Sequence, residues 1–302
     1  MKTAFIFPGQ GTQIVGMARD FYEQFPASKA IFDLSSETVG FDMADLCFTE
    51  NDRIDQTEYT QVALLTAELA IMEAVKEQGI TPNVAAGQSL GEYTALVAAG
   101  FMKPQDAIKT VRTRGILMQN AVTNGKGAMV AIVGLTSDLV DAYCKKATGI
   151  VEISNYNSEK QLVVSGEHES VMQVKQMAEE GGARLAVELK ISIPSHSPLM
   201  KDAAAELGAV LDKVEILQGN IPYVANVNAE YVSDSFKVKD LLVSQMYKAV
   251  RWEQSIYTMR DDNVELFVEI GPGETLSKLN KKIDRSLNSI NISVVEDLGK
   301  LV

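Results

Sequence analysis

The order of strand-like and helix-like patterns in the middle of the chain limits its possible folds more than any other feature. Six elements follow one another there: a strand at 128–134, a helix at 137–147 that Ser137 caps, paired strands at 150–157 and 161–166, a helix at 169–181 and a strand at 183–191. The order β-α-β-β-α-β is that of a ferredoxin-like motif. We therefore expect a small α+β domain over residues 125–195.

Alternating strands and helices flank this segment on both sides. Before it, the strand-like runs TAFIF and NVAAG bracket a helical pattern at 60–77, which Gly79 ends. After it, a helical pattern near 198–213 precedes the strand-like runs IPYVANV and ELFVEIG, and a further helix follows Gly273. Such alternation is typical of α/β folds, in which the strands form a parallel sheet.

The two patterns together predict two domains. We expect an α/β protein whose large, hydrolase-like domain, built on a parallel sheet, comprises residues 1–124 and 196–302. The ferredoxin-like domain of residues 125–195 is inserted into it. The chain of 302 residues is long enough to hold both.

Composition and charge exclude several classes of protein. Hydrophobic residues make up 46% of the chain and its net charge is −12, which argues against nucleic acid as the main partner. The apolar run at the start is short and breaks at Pro8, as a buried strand would, and no stretch is long enough to span a membrane. Cys47 and Cys144 form neither a disulfide framework nor a zinc site, so we expect a cytoplasmic protein without a metal.

The basic run LSKLNKKIDR at 276–285 has two interpretations. Charge runs of this kind usually form the solvated face of a helix. Alternatively, the run is a local patch that attracts an acidic protein partner, which the overall negative charge of the chain would otherwise repel.

The segment AAGQSLGEYTALVAAG contains the pattern G-x-S-x-G, centred on Ser89. A serine on a sharp turn from strand to helix exposes its hydroxyl, and the flanking glycines let the backbone pass closely. The next N–H, that of Leu90, then points from a helix N-terminus toward any oxyanion that forms. Ser89 is therefore either a nucleophile or, less interestingly, a structural cap of the following helix.

A serine nucleophile needs a base, and the chain has only two histidines. His168 lies at a polar junction between a predicted strand and helix, where a surface role fits it. His196 lies in a loop after a strand and a proline, at the second boundary of the small domain, and is the candidate base. Its alternative role is to cap the next helix. The sequence leaves open whether His196 belongs to a triad or a dyad.

Arg114 stands on the apolar stripe of a helix that follows Pro104. It comes three residues after Val111 and four before Met118, and no acid occupies a position three or four residues away. An unpaired guanidinium near a core is costly. Arg114 therefore either meets a distant acid or binds the carboxylate of a ligand with two parallel hydrogen bonds.

Several motifs occur together and in order along the chain. They are FPGQGTQ (7–13), GQSLGEYTALVAAG (87–100), RTRGILMQNAV (112–122), SNYNS (154–158), IPSH (193–196), QMYKAVRW (245–252) and VEIGPGETL (268–276). With this combination the chain resembles the malonyl-CoA:acyl-carrier-protein transacylases of fatty-acid synthesis over essentially its whole length.

The resemblance implies roles for individual residues. Ser89 would be the acylated nucleophile and His196 its base. Gln245 would offer its backbone carbonyl to the histidine, where a hydrolase would place an aspartate. The backbone N–H groups of Gln10 and Leu90 would form the oxyanion hole.

The resemblance also bears on the choice of acyl group. Arg114 would bind the malonyl carboxylate, and Gln61 would lie near the pocket. Position 88 holds Gln where the family most often has His, which leaves the support of the serine turn open. Ser195 fits members of the fatty-acid type and Leu90 favours malonyl, although methylmalonyl stays open.

The implied reaction is a ping-pong transfer of malonyl from malonyl-CoA to the phosphopantetheine thiol of an acyl carrier protein, by a monomer without a bound cofactor. A stand-alone acyltransferase for a polyketide synthase would use the same chemistry with another carrier. A thioesterase or other serine hydrolase would need a third, acidic triad member. A catalytically silent binding module would form no acyl-serine.

Overall fold

The computed structural model describes residues 1–123, 125–191 and 193–301. Positions 124 and 302, which end two predicted domain segments, lie outside the described residues. Within them the chain forms a six-stranded and a four-stranded sheet, both packed against helices. The protein therefore has the predicted mixed α/β fold.

The strands of the two sheets are short. In chain order they are β1 (Thr3–Phe7), β2 (Val84–Gly87), β3 (Gly127–Val133), β4 (Val151–Ser158), β5 (Gln161–Glu167), β6 (Leu185–Glu188), β7 (Tyr223–Val224), β8 (Tyr231–Val232), β9 (Leu266–Ile270) and β10 (Ser289–Ile292).

The helices vary more in length. They are α1 (Arg19–Gln24), α2 (Pro26–Val39), α3 (Met43–Phe48), α4 (Thr57–Glu77), α5 (Gly91–Ala98), α6 (Pro104–Asn120), α7 (Ser137–Lys146), α8 (His168–Glu180), α9 (Lys201–Leu211), α10 (Ser235–Tyr247), α11 (Trp252–Asp261) and α12 (Thr275–Ile283), with 3₁₀ turns at Pro198–Met200 and Val295–Leu301. None of the helices described is long and apolar enough to cross a membrane.

The larger sheet has the strand order β10-β9-β1-β2-β7-β8. Its strands are parallel except β8, which pairs antiparallel with β7 at one edge. Along β1, Phe5 and Phe7 join the core under α2, α4 and α6, whereas Ala4 and Ile6 join the core on the opposite face. A sheet covered on both faces needs continuously apolar strands, and β1 is buried throughout.

The smaller sheet has the strand order β4-β5-β3-β6 and is antiparallel throughout. Helices α7 and α8 pack on one of its faces. This is the β-α-β-β-α-β unit that the sequence predicts. All its elements lie within 127–188, and the domain boundaries at 125 and 195 stay predictions.

Several local predictions differ from the structure. Of the strand-like run IPYVANV, only Tyr223–Val224 form a strand. Thr136, not Ser137, precedes the first turn of α7, and its side chain makes no capping bond. The strand predicted at 183–191 covers only Leu185–Glu188, because β6 is an edge strand that pairs with β3 alone. The helix predicted near 198–213 begins as a 3₁₀ turn at Pro198–Met200 and continues as α9; a proline fits this first turn because the N–H that it lacks would have no partner there.

The turn from β2 to α5 depends on close backbone contact. A Cβ atom on Gly87 would lie 1.9 Å from the carbonyl carbon of Gly91, and one on Gly91 would lie 2.2 Å from the backbone oxygen of Phe7. No side chain fits at either position. The two glycines of the G-x-S-x-G pattern therefore let α5 start directly against the end of β1.

We expect Gly87→Ala to destabilise the fold by about 3 kcal/mol, the upper end of the usual cost of overpacking. Urea unfolding would measure the change through the midpoint at constant slope. Gly208→Ala in α9 is the control, because a Cβ there would lie 3.4 Å from Val243 Cγ2, an ordinary contact. It should stabilise by about 0.5–1 kcal/mol. If Gly87→Ala were as stable as the wild type, the close packing at this turn would be contradicted.

Candidate active site

Ser89 occupies the turn between β2 and α5 with a left-handed backbone, φ 54°. This conformation costs a non-glycine residue about 1–3 kcal/mol and persists only where neighbours enforce it. The Ser89 N–H donates to Asn226 Oδ1 at 2.7 Å. A side chain from outside the turn thus holds the Ser89 backbone in this conformation.

His196 lies beside Ser89, although 107 residues separate them in the chain. Its Nε2 is 2.7 Å from Ser89 Oγ, and its Nδ1 is 2.6 Å from the backbone oxygen of Gln245. A carbonyl oxygen only accepts hydrogen bonds, so Nδ1 carries the proton and Nε2 is free to accept from the serine hydroxyl. The loop is held by the His196 N–H, which donates to the backbone oxygen of Met246 at 3.0 Å.

The surroundings of His196 favour the neutral imidazole. Burial, and after it the nearby Arg114 guanidinium, lower its pKa from 6.5 to about 4. The hydrogen bond to the Gln245 carbonyl acts in the opposite direction but does not outweigh them. At neutral pH the ring is therefore an acceptor toward Ser89.

Arg114 is buried on α6, as its place on the apolar stripe predicts. Its guanidinium donates to Gln61 Oε1 at 2.6 Å, to Gln245 Oε1 at 2.9 Å and to Ser89 Oγ at 3.2 Å. No carboxylate lies within ion-pair distance of it among residues 1–123, 125–191 and 193–301, and its Nε has no partner there. Amide oxygens hold the cation in place without neutralising it.

These side chains line one cavity of about 240 Å³. The large-sheet side contributes Gln10, Gln61, Ser89, Leu90, Arg114 and His196, and the small sheet contributes Met129, Ala131, Asn155, Asn157 and Val163. Neither Gln10 N–H nor Leu90 N–H donates to any residue that the structure describes. Two free backbone donors thus lie in the wall of the cavity that holds the Ser89 hydroxyl.

Gln88 connects the two sides of the cavity. Its Nε2 donates to Asn157 Oδ1 on β4 at 2.8 Å. The glutamine at this position thus connects the serine turn to the small sheet through a neutral amide contact.

The structure brings together all the site residues that the sequence proposed and adds two that it did not. Asn226 holds the Ser89 backbone, and Glu92 Oε2 accepts from Gln245 Nε2 at 2.8 Å. Burial raises the pKa of Glu92 to about 7, against the effect of its hydrogen bonds. In the sequence, an acid in the first helical turn after the serine could have pointed to Glu92, whereas no local pattern points to Asn226.

The chain matches the family model "Acyl transferase domain" over residues 4–301. The chain belongs to this family. It is 42% identical to the malonyl CoA-acyl carrier protein transacylase of Bacillus subtilis over 98% of its own length and 95% of the relative's. An acyl carrier protein S-malonyltransferase from Vibrio cholerae superposes with a TM-score of 0.97 at 40% identity, covering 100% of both chains.

A further member of the acyl transferase family has been solved with a carrier. It is a malonyl-transacylase in complex with a type II polyketide acyl-carrier protein, with a TM-score of 0.97 and 37% identity over 99% of this chain and 98% of that one. The arrangement of both sheets in the present chain is thus that of the acyl transferase family.

We expect the His196 imidazole to titrate near pH 4, because burial and the Arg114 cation both oppose its protonation. Arg114→Gln keeps hydrogen-bonding capacity but removes the charge, so the titration should move to higher pH. NMR of labelled imidazole rings across the acid and neutral range would measure both values, with circular dichroism to verify folding. A wild-type His196 that titrates at its ordinary value, or no effect of Arg114→Gln, would contradict this electrostatic account.

Proposed function

We propose that the protein transfers a malonyl group from malonyl-CoA to the phosphopantetheine thiol of an acyl carrier protein in fatty acid biosynthesis, through an acyl-serine intermediate. One observation carries the proposal: Ser89 Oγ is within hydrogen-bond distance of both His196 Nε2 and the buried Arg114 guanidinium. A base and a carboxylate-binding cation thus meet at one hydroxyl. The names of the bacterial relatives support the choice of donor and acceptor.

In the first step His196 acts as the general base. Its Nε2 takes the proton of Ser89 while Oγ attacks the thioester carbonyl carbon, and the C–S bond to CoA then breaks. The imidazolium returns the proton to the leaving thiolate. Base catalysis of this kind contributes about 10²–10⁴-fold.

The backbone N–H groups of Gln10 and Leu90 stabilise the oxyanion of this step. Neither has an acceptor among the described residues, and both residues line the cavity that holds Ser89. Loss of one such donor costs about 3 kcal/mol of transition-state stabilisation.

In the second step the phosphopantetheine thiol of the carrier replaces CoA. His196 takes the thiol proton, the sulfur attacks the acyl-serine carbonyl, and Ser89 leaves with the proton that the imidazolium returns. CoA departs before the carrier reacts, so the kinetics are ping-pong. Neither step of the transfer needs a bound cofactor.

Arg114 selects the acyl group. A malonyl carboxylate pairs with the guanidinium, which the Gln61 and Gln245 amides already orient. An acetyl group would leave the buried cation unpaired, and a site built to bind a charged group rejects the analogue that lacks it. Gln61 therefore acts by orienting the arginine.

The alternative carriers and reactions differ in what supports them. The solved complex of a similar transacylase with a polyketide carrier supports a stand-alone polyketide role as the second candidate. A serine hydrolase would need a carboxylate at His196 Nδ1, where the Gln245 carbonyl lies instead. For the present chain we propose a cytoplasmic monomer, and its two buried free thiols fit a reducing compartment.

We expect the protein to gain a malonyl-sized covalent adduct when it is mixed with malonyl-CoA, quenched and weighed intact by mass spectrometry. Acetyl-CoA should give far less adduct, and Ser89→Ala should give none with either donor. Addition of a holo acyl carrier protein should then discharge the adduct onto the carrier. Release of free malonate without an adduct would point to the hydrolase, and the absence of any reaction would point to the binding module.

We expect Arg114→Ala to lower the acylation rate with malonyl-CoA and to raise the acetyl rate relative to it, because the cation that pairs with the malonyl carboxylate is gone. The change in the malonyl-to-acetyl ratio should reach about 10²-fold, since a hydrogen bond to a charged group contributes about 1.5–3 kcal/mol. Competition between the two CoA esters, read by intact mass, measures the ratio. An unchanged malonyl preference would sink the assignment of Arg114.

A further inference from the structure

The backbone of Ser89 is held by side chains from remote parts of the chain. Its N–H donates to Asn226 Oδ1 at 2.7 Å, and its carbonyl accepts from Gln245 Nε2 at 2.8 Å. Asn226 Nδ2 also donates to the backbone oxygen of Gly87 at 2.6 Å. One amide therefore clamps the turn on both sides of position 88, accepting from the serine and donating to the glycine.

Glu92 connects these supports. Its Oε2 accepts from Gln245 Nε2 at 2.8 Å and from the backbone N–H of Asn226 at 3.3 Å. Both its carboxyl oxygens are buried, and Oε1 has no other partner in the described part of the chain. The acid thus ties together the two residues that bind the Ser89 backbone.

Glu92 also determines which way the Gln245 amide faces. Carboxylate and carbonyl oxygens surround Gln245 Nε2, so only the NH₂ end of the amide can lie there. Its Oε1 must then face the Arg114 guanidinium, to which it is bonded at 2.9 Å. A chain of hydrogen bonds therefore runs from Glu92 through Gln245 to the cation.

We propose that Asn226 and Glu92 are positioning residues of the transfer reaction: Asn226 holds Ser89 in its left-handed conformation and keeps its N–H out of the oxyanion site, and Glu92 orients Arg114 through the Gln245 amide. The inference rests on the proposed function. The two residues should have different effects. Asn226 acts on the nucleophile alone, whereas Glu92 acts on the carboxylate-binding cation as well. A misplacement of about 1 Å at a reacting group can cost 10²-fold in rate.

The first test is the rate of acylation, measured by quenched flow and intact mass. Asn226→Ala should acylate about 10²-fold more slowly with malonyl-CoA and with acetyl-CoA alike. Its malonyl-to-acetyl ratio should stay that of the wild type. Asn226→Asp keeps an acceptor for the Ser89 N–H but has no donor for Gly87, so it should also be slow with the ratio unchanged, and it serves if the alanine variant does not fold.

The matched control for Asn226 is Asn280→Ala. Asn280 is also buried, and its Nδ2 donates to Ser289 Oγ at 3.1 Å. Ser289 lies on β10, at the edge of the larger sheet. This variant should lose stability but acylate at the wild-type rate. A loss of rate shared by both alanine variants, or a wild-type rate in Asn226→Asp and Asn226→Ala, would overturn the role of Asn226.

The second test separates Glu92→Gln from Glu92→Ala. The glutamine keeps an oxygen for Gln245 Nε2 and should preserve the malonyl-to-acetyl ratio, whereas the alanine frees the Gln245 amide and should lower the ratio about tenfold. Equal ratios in the two variants would overturn the role of Glu92. Failure of the proposed function would look different, since the wild-type protein itself would then form no acyl-serine.

Discussion

The close packing of the loop after β1 against the turn after β2 is the constraint on which the rest of the site depends. A Cβ on Gly9 would lie 2.6 Å from the backbone oxygen of Gln88, and one on Gly91 would lie 2.2 Å from the last backbone oxygen of β1. Because neither glycine has a side chain, the free N–H groups of Gln10 and Leu90 reach the same cavity. In the proposed mechanism these two backbone N–H groups form the oxyanion site, and the other elements bring side chains to it.

In the proposed mechanism, the charge of the malonyl substrate changes the pKa of His196. Burial and the Arg114 cation lower the pKa of His196. A malonyl carboxylate paired with Arg114 would offset the effect of the cation and make the imidazole a stronger base at the moment that the thioester arrives. An acetyl group brings no such charge. In the proposed mechanism, Arg114 therefore discriminates through the basicity of His196 as well as through binding.

The sequence predicted what depends on local pattern and missed what depends on distant contact. The buried strands and the β-α-β-β-α-β order follow from periodicity, whereas the sequence did not predict α2, of which only Ser28, Phe32 and Ser35 are buried. Ser89 could be found from its glycines, but the role of the Gln245 carbonyl needed the family resemblance. Asn226 lies 137 residues from Ser89 and Glu92 lies 153 from Gln245, so only the folded chain shows that they meet.

In the proposed mechanism, Gln245 takes the place of the acid of a hydrolase triad. Its backbone oxygen fixes the tautomer of His196 without adding negative charge, and its side chain carries the hydrogen bonds that link Glu92 to Arg114. A carboxylate at the same place would raise the pKa of the imidazole. The leaving thiol needs little help, since thiols have pKa values of about 8.5. In the proposed mechanism a weakly basic, neutral histidine is therefore sufficient for thioester exchange, and the cation stays available for the substrate.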